Sequence, residues 1–216
     1  MRMLGNGMLP QIHGGGAEWW SANGTIAGCV AAYQPKGAAG LAESYTNLAN
    51  PGTYTAAPGV APTLDINGWS FNGSTQYLTT GIIPNGMKSM IVRFSGASGS
   101  TAAILGASDA DSSGRFILFA AVGANRAYGY SGLNSVSGAS TSGVMALAEN
   151  NCYLNGAADG ITAGSTITSS PLFIGARNFA GAVNSFLSGK IQALAIYSTA
   201  LTSGEVSTLT TLMNAL

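Results

Sequence analysis

Apolar and polar positions in this chain alternate in short runs with a period of two, and Gly, Asn, Asp or Pro breaks each run. Met90, Val92 and Phe94 alternate with Ile91 and Arg93, the pattern of a half-buried strand. Phe116, Leu118, Ala120 and Val122 alternate with Ile117 and Phe119, so that strand is expected to be covered on both faces. Further strands are predicted over 28–33, 69–71, 76–80, 88–95, 102–106, 115–122, 126–130, 144–154, 171–176 and 186–197. Asn-Gly occurs at Asn6, Asn23, Asn67, Asn72, Asn85 and Asn155, a strong hairpin signal because both residues tolerate positive φ. Residues 41–65 form a turn-rich crossing with Pro51, Pro58 and Pro62. The period changes only at the end, where Val206, Leu209, Met213 and Leu216 recur at helical spacing. Thr202 and Glu205 precede them with the spacing of a capping box. Many strands, a terminal helix and no repeat of 20–50 residues predict an all-β, two-sheet sandwich.

The first residues do not share this pattern. Residues 1–18 read as an extended N-terminal arm, and 19–216 as one sandwich domain. Leu4, Met8, Leu9 and Ile12 would give the arm its apolar contacts on a partner surface. Trp19 and Trp20 follow. On an extended segment they would point opposite ways, one into the core and one onto a neighbour; alternatively, both cover the sandwich edge.

Composition narrows the partners. Only 7% of the 216 residues are charged, and eight basic residues balance eight acidic ones. Without a basic cluster, nucleic acid is not an expected partner. Sparse charge protects poorly against self-association, and with 46% hydrophobic residues it suits an assembly. No run reaches the ~20 apolar residues of a membrane span, and the start lacks a secretory pattern, so synthesis in a cytoplasm without general export is the expectation. Cys29 and Cys152 could pair; two buried thiols is the simpler reading.

Three stretches resemble laminin-G-like domains, which have the concanavalin A-type jelly roll. Gly68-Trp69-Ser70-Phe71-Asn72-Gly73, continuing to Gln76-Tyr77-Leu78, resembles the family's Phe-Asp/Asn-Gly…Tyr-Val/Leu segment. Cys152-Tyr153-Leu154-Asn155-Gly156 is similar to its Leu-Tyr-Val-Asn-Gly hairpin, and Pro171–Ala176 with Phe186–Glu205 to its closing strands and helix. The resemblance covers residues from about Ala27 onward and implies that Phe71, Tyr153, Ile174, Leu194 and Ile196 fill the inter-sheet core. The opening from Cys29 to Ala39 also resembles stretches of tailed-bacteriophage virion proteins.

Catalytic chemistry is thin. Asp109 and Asp111 are the only acidic pair at strand-alternation spacing, and they sit in a loop composition; Glu18, Glu43, Asp65, Glu149, Asp159 and Glu205 are scattered. His13, the single histidine, lies in the arm, and no phosphate loop or zinc spacing is present. No cofactor is expected. The resemblance raises calcium, for which Asp109 and Asp111 are the candidates, although Tyr45-Thr46-Asn47 stands where the family carries an acid. A solvated turn is the plainer reading of the two aspartates. For a sugar, Asn125, Arg126, Tyr128 and Tyr130 offer aromatic faces and planar polar groups, with Arg126, Tyr128 and Tyr130 on one side of a strand. Alternatively, those tyrosines only pack on a sheet. Tyr45 and Tyr54 are weaker candidates.

The expectation from these features is a non-enzymatic virion surface protein, a capsid decoration or tail/fibre subunit. It would be made in the host cytoplasm, displayed on the virion or otherwise extracellular, and assembled with its own copies and neighbouring subunits. The alternative is a glycan-binding adhesion module for host surfaces. A glycan hydrolase or lyase with an unfamiliar site is the third reading.

Overall fold

A computed structural model of the protein describes residues 18–164 and 166–216. The arm positions Leu4, Met8, Leu9, Ile12 and His13 lie outside the described residues. In chain order the strands are β1 (Cys29–Tyr33), β2 (Ala57–Val60), β3 (Thr63–Asp65), β4 (Gly68–Asn72), β5 (Tyr77–Thr79), β6 (Ser89–Ser98), β7 (Thr101–Ser108), β8 (Arg115–Val122) and β9 (Asn125–Tyr130). They continue with β10 (Gly132–Ser137), β11 (Gly143–Ala148), β12 (Asn151–Leu154), β13 (Ala157–Ile161), β14 (Phe173–Ile174), β15 (Arg177–Phe179), β16 (Ala182–Asn184) and β17 (Ser188–Tyr197). One helical turn, α1 (Leu41–Ser44), interrupts the early crossing, and α2 (Ser203–Ala215) follows the last strand.

The expected all-β sandwich with a short C-terminal helix is what the chain forms. An eight-stranded sheet runs β13-β12-β11-β6-β17-β4-β3, with β1 beside β17; a nine-stranded sheet runs β10-β9-β8-β7-β14-β5-β2. The pairings are antiparallel except that β15, hairpinned to β16, joins β7 in parallel. β17 carries most of the first sheet's continuity: it pairs with β6 along one side, and with β4 and then β1 along the other.

Apolar alternation divides the interior. Between the sheets lie Trp69, Phe71, Met90, Val92, Phe94, Phe116, Leu118, Ile174, Leu194 and Ile196. A second cluster sits between the outer face of the eight-stranded sheet and α2, where Ile91, Ala193, Ala195 and Tyr197 meet Val206, Leu209 and Met213. Helix α2 starts as predicted: Thr202 Oγ1 accepts from Glu205 N at 3.2 Å, and Thr202 N donates to the Glu205 carboxylate at 2.7 Å. At the other end, Arg93 Nη1 donates to the Met213 carbonyl at 2.5 Å.

Four expectations need correction. Residues 144–154 are two strands, β11 and β12, with Glu149 at φ +47° in the turn between them. Tyr153 therefore points into the helix-side cluster, while its neighbour Cys152 enters the inter-sheet core. The crossing at 41–65 carries α1, β2 and β3. Trp19 and Trp20 lie in a 3₁₀ turn, ring centroids 5.9 Å apart at 86°, and both join the helix-side cluster. Asn155-Gly156 does turn a hairpin, with φ of +52° and +81°. Both cysteines are free thiols; burial pushes Cys29 and Cys152 up to about 12.

Candidate functional site

The outer face of the nine-stranded sheet carries a depression of about 140 Å³. Register explains it. Gly106 of β7 pairs with Ile117 of β8, Ile117 with Gly129 of β9, and Gly129 with Leu133 of β10. Cross-strand partners share a face, so two glycines flank Ile117 and leave the sheet bare on either side of it. The closeness is obligatory: a Cβ on Gly106, at φ +146°, would stand 2.4 Å from Ile117 Cα, and one on Gly129 2.7 Å from Ile117 Cγ2. Ile117, Phe119 and Val122 give the depression an apolar lining, and Leu133, 41% exposed, flanks it.

Its polar lining consists of two arginines and three hydroxyl-bearing side chains. Arg115 begins β8, opposite Ser108 of β7, and Arg177 begins β15. Arg115 Nη1 donates to the Ser131 carbonyl at 3.2 Å, and Arg177 Nε to Asn184 Oδ1 at 2.8 Å. The Arg177 guanidinium lies 4.5 Å from the Phe179 ring centroid and 6.0 Å from that of Phe119. Neither arginine has a carboxylate within salt-bridge distance among the described residues. Burial, and the like charge of Arg115, hold the Arg177 guanidinium below its ordinary value. Ser108 Oγ is buried with no hydrogen-bond partner, and Thr101 and Ser185 add hydroxyl-bearing side chains to the lining.

The residues singled out from sequence fall elsewhere. Arg126, Tyr128 and Tyr130 do share one face of β9, but Tyr128 and Tyr130 belong to the inter-sheet core. Arg126 donates through Nε and Nη2 to the Asp159 carboxylate of β13, and Tyr128 Oη donates to Asp159 Oδ2 at 2.5 Å. Burial raises the Asp159 carboxyl, and hydrogen bonds from Arg126 and Tyr128 outweigh it, so the net direction is down. Burial, then Asp159 itself, pushes the Tyr128 phenol up. These side chains cross-link the two sheets and present no aromatic face to a ligand; Asn125, at the start of β9, is half-buried.

Asp109 and Asp111 occupy the β7–β8 loop. Asp109 Oδ1 accepts from Thr168 Oγ1 at 2.5 Å, and Asp111 Oδ1 from Ser113 N at 2.9 Å, closing an Asx turn. Among the described residues, no three His, Cys, Asp or Glu side chains gather in one place. Asn47, from the stretch that replaces the family's acid, is fully buried. Its amide bonds five backbone groups: Ala32 N, Ala49 N, Asn50 N, Val30 O and Thr53 O. Tyr45 packs on Trp69 at 6.0 Å, and Tyr54 is exposed. A wider groove of about 740 Å³ is lined by Trp20, Gln34, Lys36, Leu48, Glu18 and Glu43 among others.

The model of the Concanavalin A-like lectin/glucanases superfamily matches residues 83–207. The chain belongs to this superfamily. The match runs from just before β6 to the first turn of α2 and so includes β8, β15 and the depression between them. No curated protein matches the sequence. Among solved structures, Trypanosoma rangeli sialidase in complex with sialic acid superimposes with a TM-score of 0.58 at 15% identity, over 87% of this chain and 33% of that one. The K499G mutant of NanB sialidase from Streptococcus pneumoniae gives 0.51 at 14%, over 68% and 28%. This superfamily member thus spans about a third of the length of those sialidases, and at such identities the likeness concerns the fold.

Nothing in the sequence analysis singled out Ser108, Arg115, Gly129, Leu133 or Arg177. The available signal was an Arg at the head of the alternating strand that carries Ile117 and Phe119.

Proposed function

We propose that the protein is a non-enzymatic glycan-binding module whose site is the depression on the outer face of the nine-stranded sheet. The observation that carries this is the combination of an apolar lining, Ile117 and Phe119, with the unpaired donors of Arg115 and Arg177. Sugar rings need apolar contact for their C–H faces and directional donors for their oxygens. Membership of a lectin-like superfamily supports the reading. Among the described residues the lining of the depression contains no carboxylate, and so none of the paired acids of glycoside hydrolysis.

A glycan array probed with the purified chain and with Leu133→Glu tests the reading, because a carboxylate at the edge of the depression engages its arginines and fills its space. Binding that Leu133→Glu abolishes, without a change in melting temperature, is the expected result; binding that the variant retains refutes this site. Incubation of the bound glycans with the protein should release no reducing ends, and release would refute the non-enzymatic part.

A second reading, a virion surface subunit that works by association with its own copies and neighbouring subunits, is favoured by the charge-poor surface. Ile66 is 82% exposed and Ile161 70%, with only 7% charged residues in the chain. Light scattering of the full chain beside one lacking residues 1–16 tests it. A defined multimer that becomes monomeric on truncation supports assembly through the arm, and two monomers count against it.

A further inference from the structure

We infer that the depression selects an anionic sugar, its carboxylate or sulfate group held between Arg115 and Arg177. The inference rests on the glycan-binding reading and goes further by naming the ligand's chemistry.

Among the described residues the lining holds two guanidiniums and no carboxylate; Asp111, in the β7–β8 loop, feels the charge of Arg115 but stands beyond salt-bridge distance of it. Each guanidinium has five N–H groups, and among the described residues each spends one on the protein. The two positive side chains come from strands on either side of β7 and converge on one small space with no acidic residue in its lining. The nearby acids lie outside this lining: Asp111 accepts from Ser113 N, and Asp109 from Thr168 Oγ1. Like charges brought together on a half-buried surface are costly unless an anion offsets them. Ser108 strengthens the case. Its hydroxyl, in the same lining, has no exposed surface and no partner, an exception among buried polar groups that an acceptor on a ligand would remove. Arg177 is also pre-positioned by Phe179 and Asn184, so little side-chain freedom is lost on binding. Two guanidiniums and a hydroxyl match the several acceptor oxygens of a carboxylate or sulfate far better than a sugar hydroxyl does.

The experiment is an NMR titration of the purified full chain with methyl glucuronide, its methyl ester, galactose 6-sulfate and galactose. Expected are shifts at Arg115, Arg177 and Ser108 with an acidic sugar, and binding about 10–100-fold weaker for its neutral counterpart. Arg115→Gln and Arg177→Gln should each cause a similar loss. Preference for the glucuronide identifies a carboxylate, and preference for the sulfate identifies a sulfate ester. Equal binding of both acidic sugars and their neutral counterparts overturns the inference while leaving glycan binding intact, and this holds even if the arginine variants fail to fold. An undiminished preference for the acidic sugars in folded Arg177→Gln overturns it as well. No binding to these probes or to any glycan on the array overturns the glycan-binding reading and this inference with it.

Discussion

Replacing Asp159 by Asn should destabilise the protein by about 3 kcal/mol, although the residue lies at the edge of the eight-stranded sheet. The carboxylate is only 11% exposed and its partner Arg126 14%, so water screens the pair weakly. Removing one member of a buried ion pair costs about 3–5 kcal/mol, because the other charge stays behind without compensation. The lower end applies here. Arg126 Nη1 also donates to the Ser137 and Gly138 carbonyls at 2.7 and 2.8 Å, and an Asn side chain can still accept from Tyr128. In a domain of this size, 1 kcal/mol corresponds to roughly 2–4 °C of melting temperature, so a fall of about 6–12 °C is expected. Calorimetry near neutral pH measures it, with Asp65→Asn as the control. The Asp65–Lys190 pair is 41% and 34% exposed, and its loss should cost under about 1 kcal/mol. The pH dependence carries a sign. Because the folded-state Asp159 carboxyl lies below its unfolded value, its stabilisation is present above the ordinary carboxylate range and disappears as pH falls through the lowered folded value. The Asp159→Asn difference should therefore narrow in acid. A difference below 1 kcal/mol at neutral pH, or one that widens in acid, would refute the view that this pair cross-links the sheets.

Other outcomes follow from local geometry. Thr202→Ala removes the acceptor for Glu205 N at the start of α2 and should cost about 1 kcal/mol by urea unfolding, with the fold kept. Gly106→Ala forces a Cβ to within 2.4 Å of Ile117 Cα at φ +146°; a loss of at least 2 kcal/mol is expected by the same assay, of the order seen for overpacking and backbone strain. Cys29 and Cys152, both pushed up to about 12, should react slowly with a thiol reagent at pH 8 until the protein is denatured. Rapid native-state labelling of Cys152 would contradict its burial in the inter-sheet core.

Elements governed by local rules were legible in the chain. The capping box and its apolar residues located α2, Asn155-Gly156 located the β12–β13 hairpin, and β8 emerged with its observed bounds. The two-sheet architecture followed from alternation and from resemblance. What alternation could not give was which face is inner. Arg126, Tyr128 and Tyr130 were rightly grouped, but their face is the inner one, where Arg126 and Tyr128 meet Asp159, 33 residues from Arg126 on another sheet. The 144–154 run read as one strand because Glu149 and Asn150 carry no Gly or Pro, and a positive φ at Glu149 does not show in its identity. The depression was invisible for a related reason. Arg115 and Arg177 lie 62 positions apart, and only the parallel junction of β15 with β7 puts them on one lining.

The central position of β17 bears on how the chain reaches this state. Its residues pair with Cys29–Tyr33 near one end of the sequence, with Gly68–Asn72, and with Ser89–Ser98, so the eight-stranded sheet cannot close until residues 188–197 are available. On a ribosome, β1, β4 and β6 would wait as unpaired edges while a hundred or so further residues are made, with few charges nearby to discourage association. Such long-range pairing slows folding. Yield should therefore depend on temperature and expression rate more steeply than final stability does, and truncations before residue 197 should aggregate rather than fold partially.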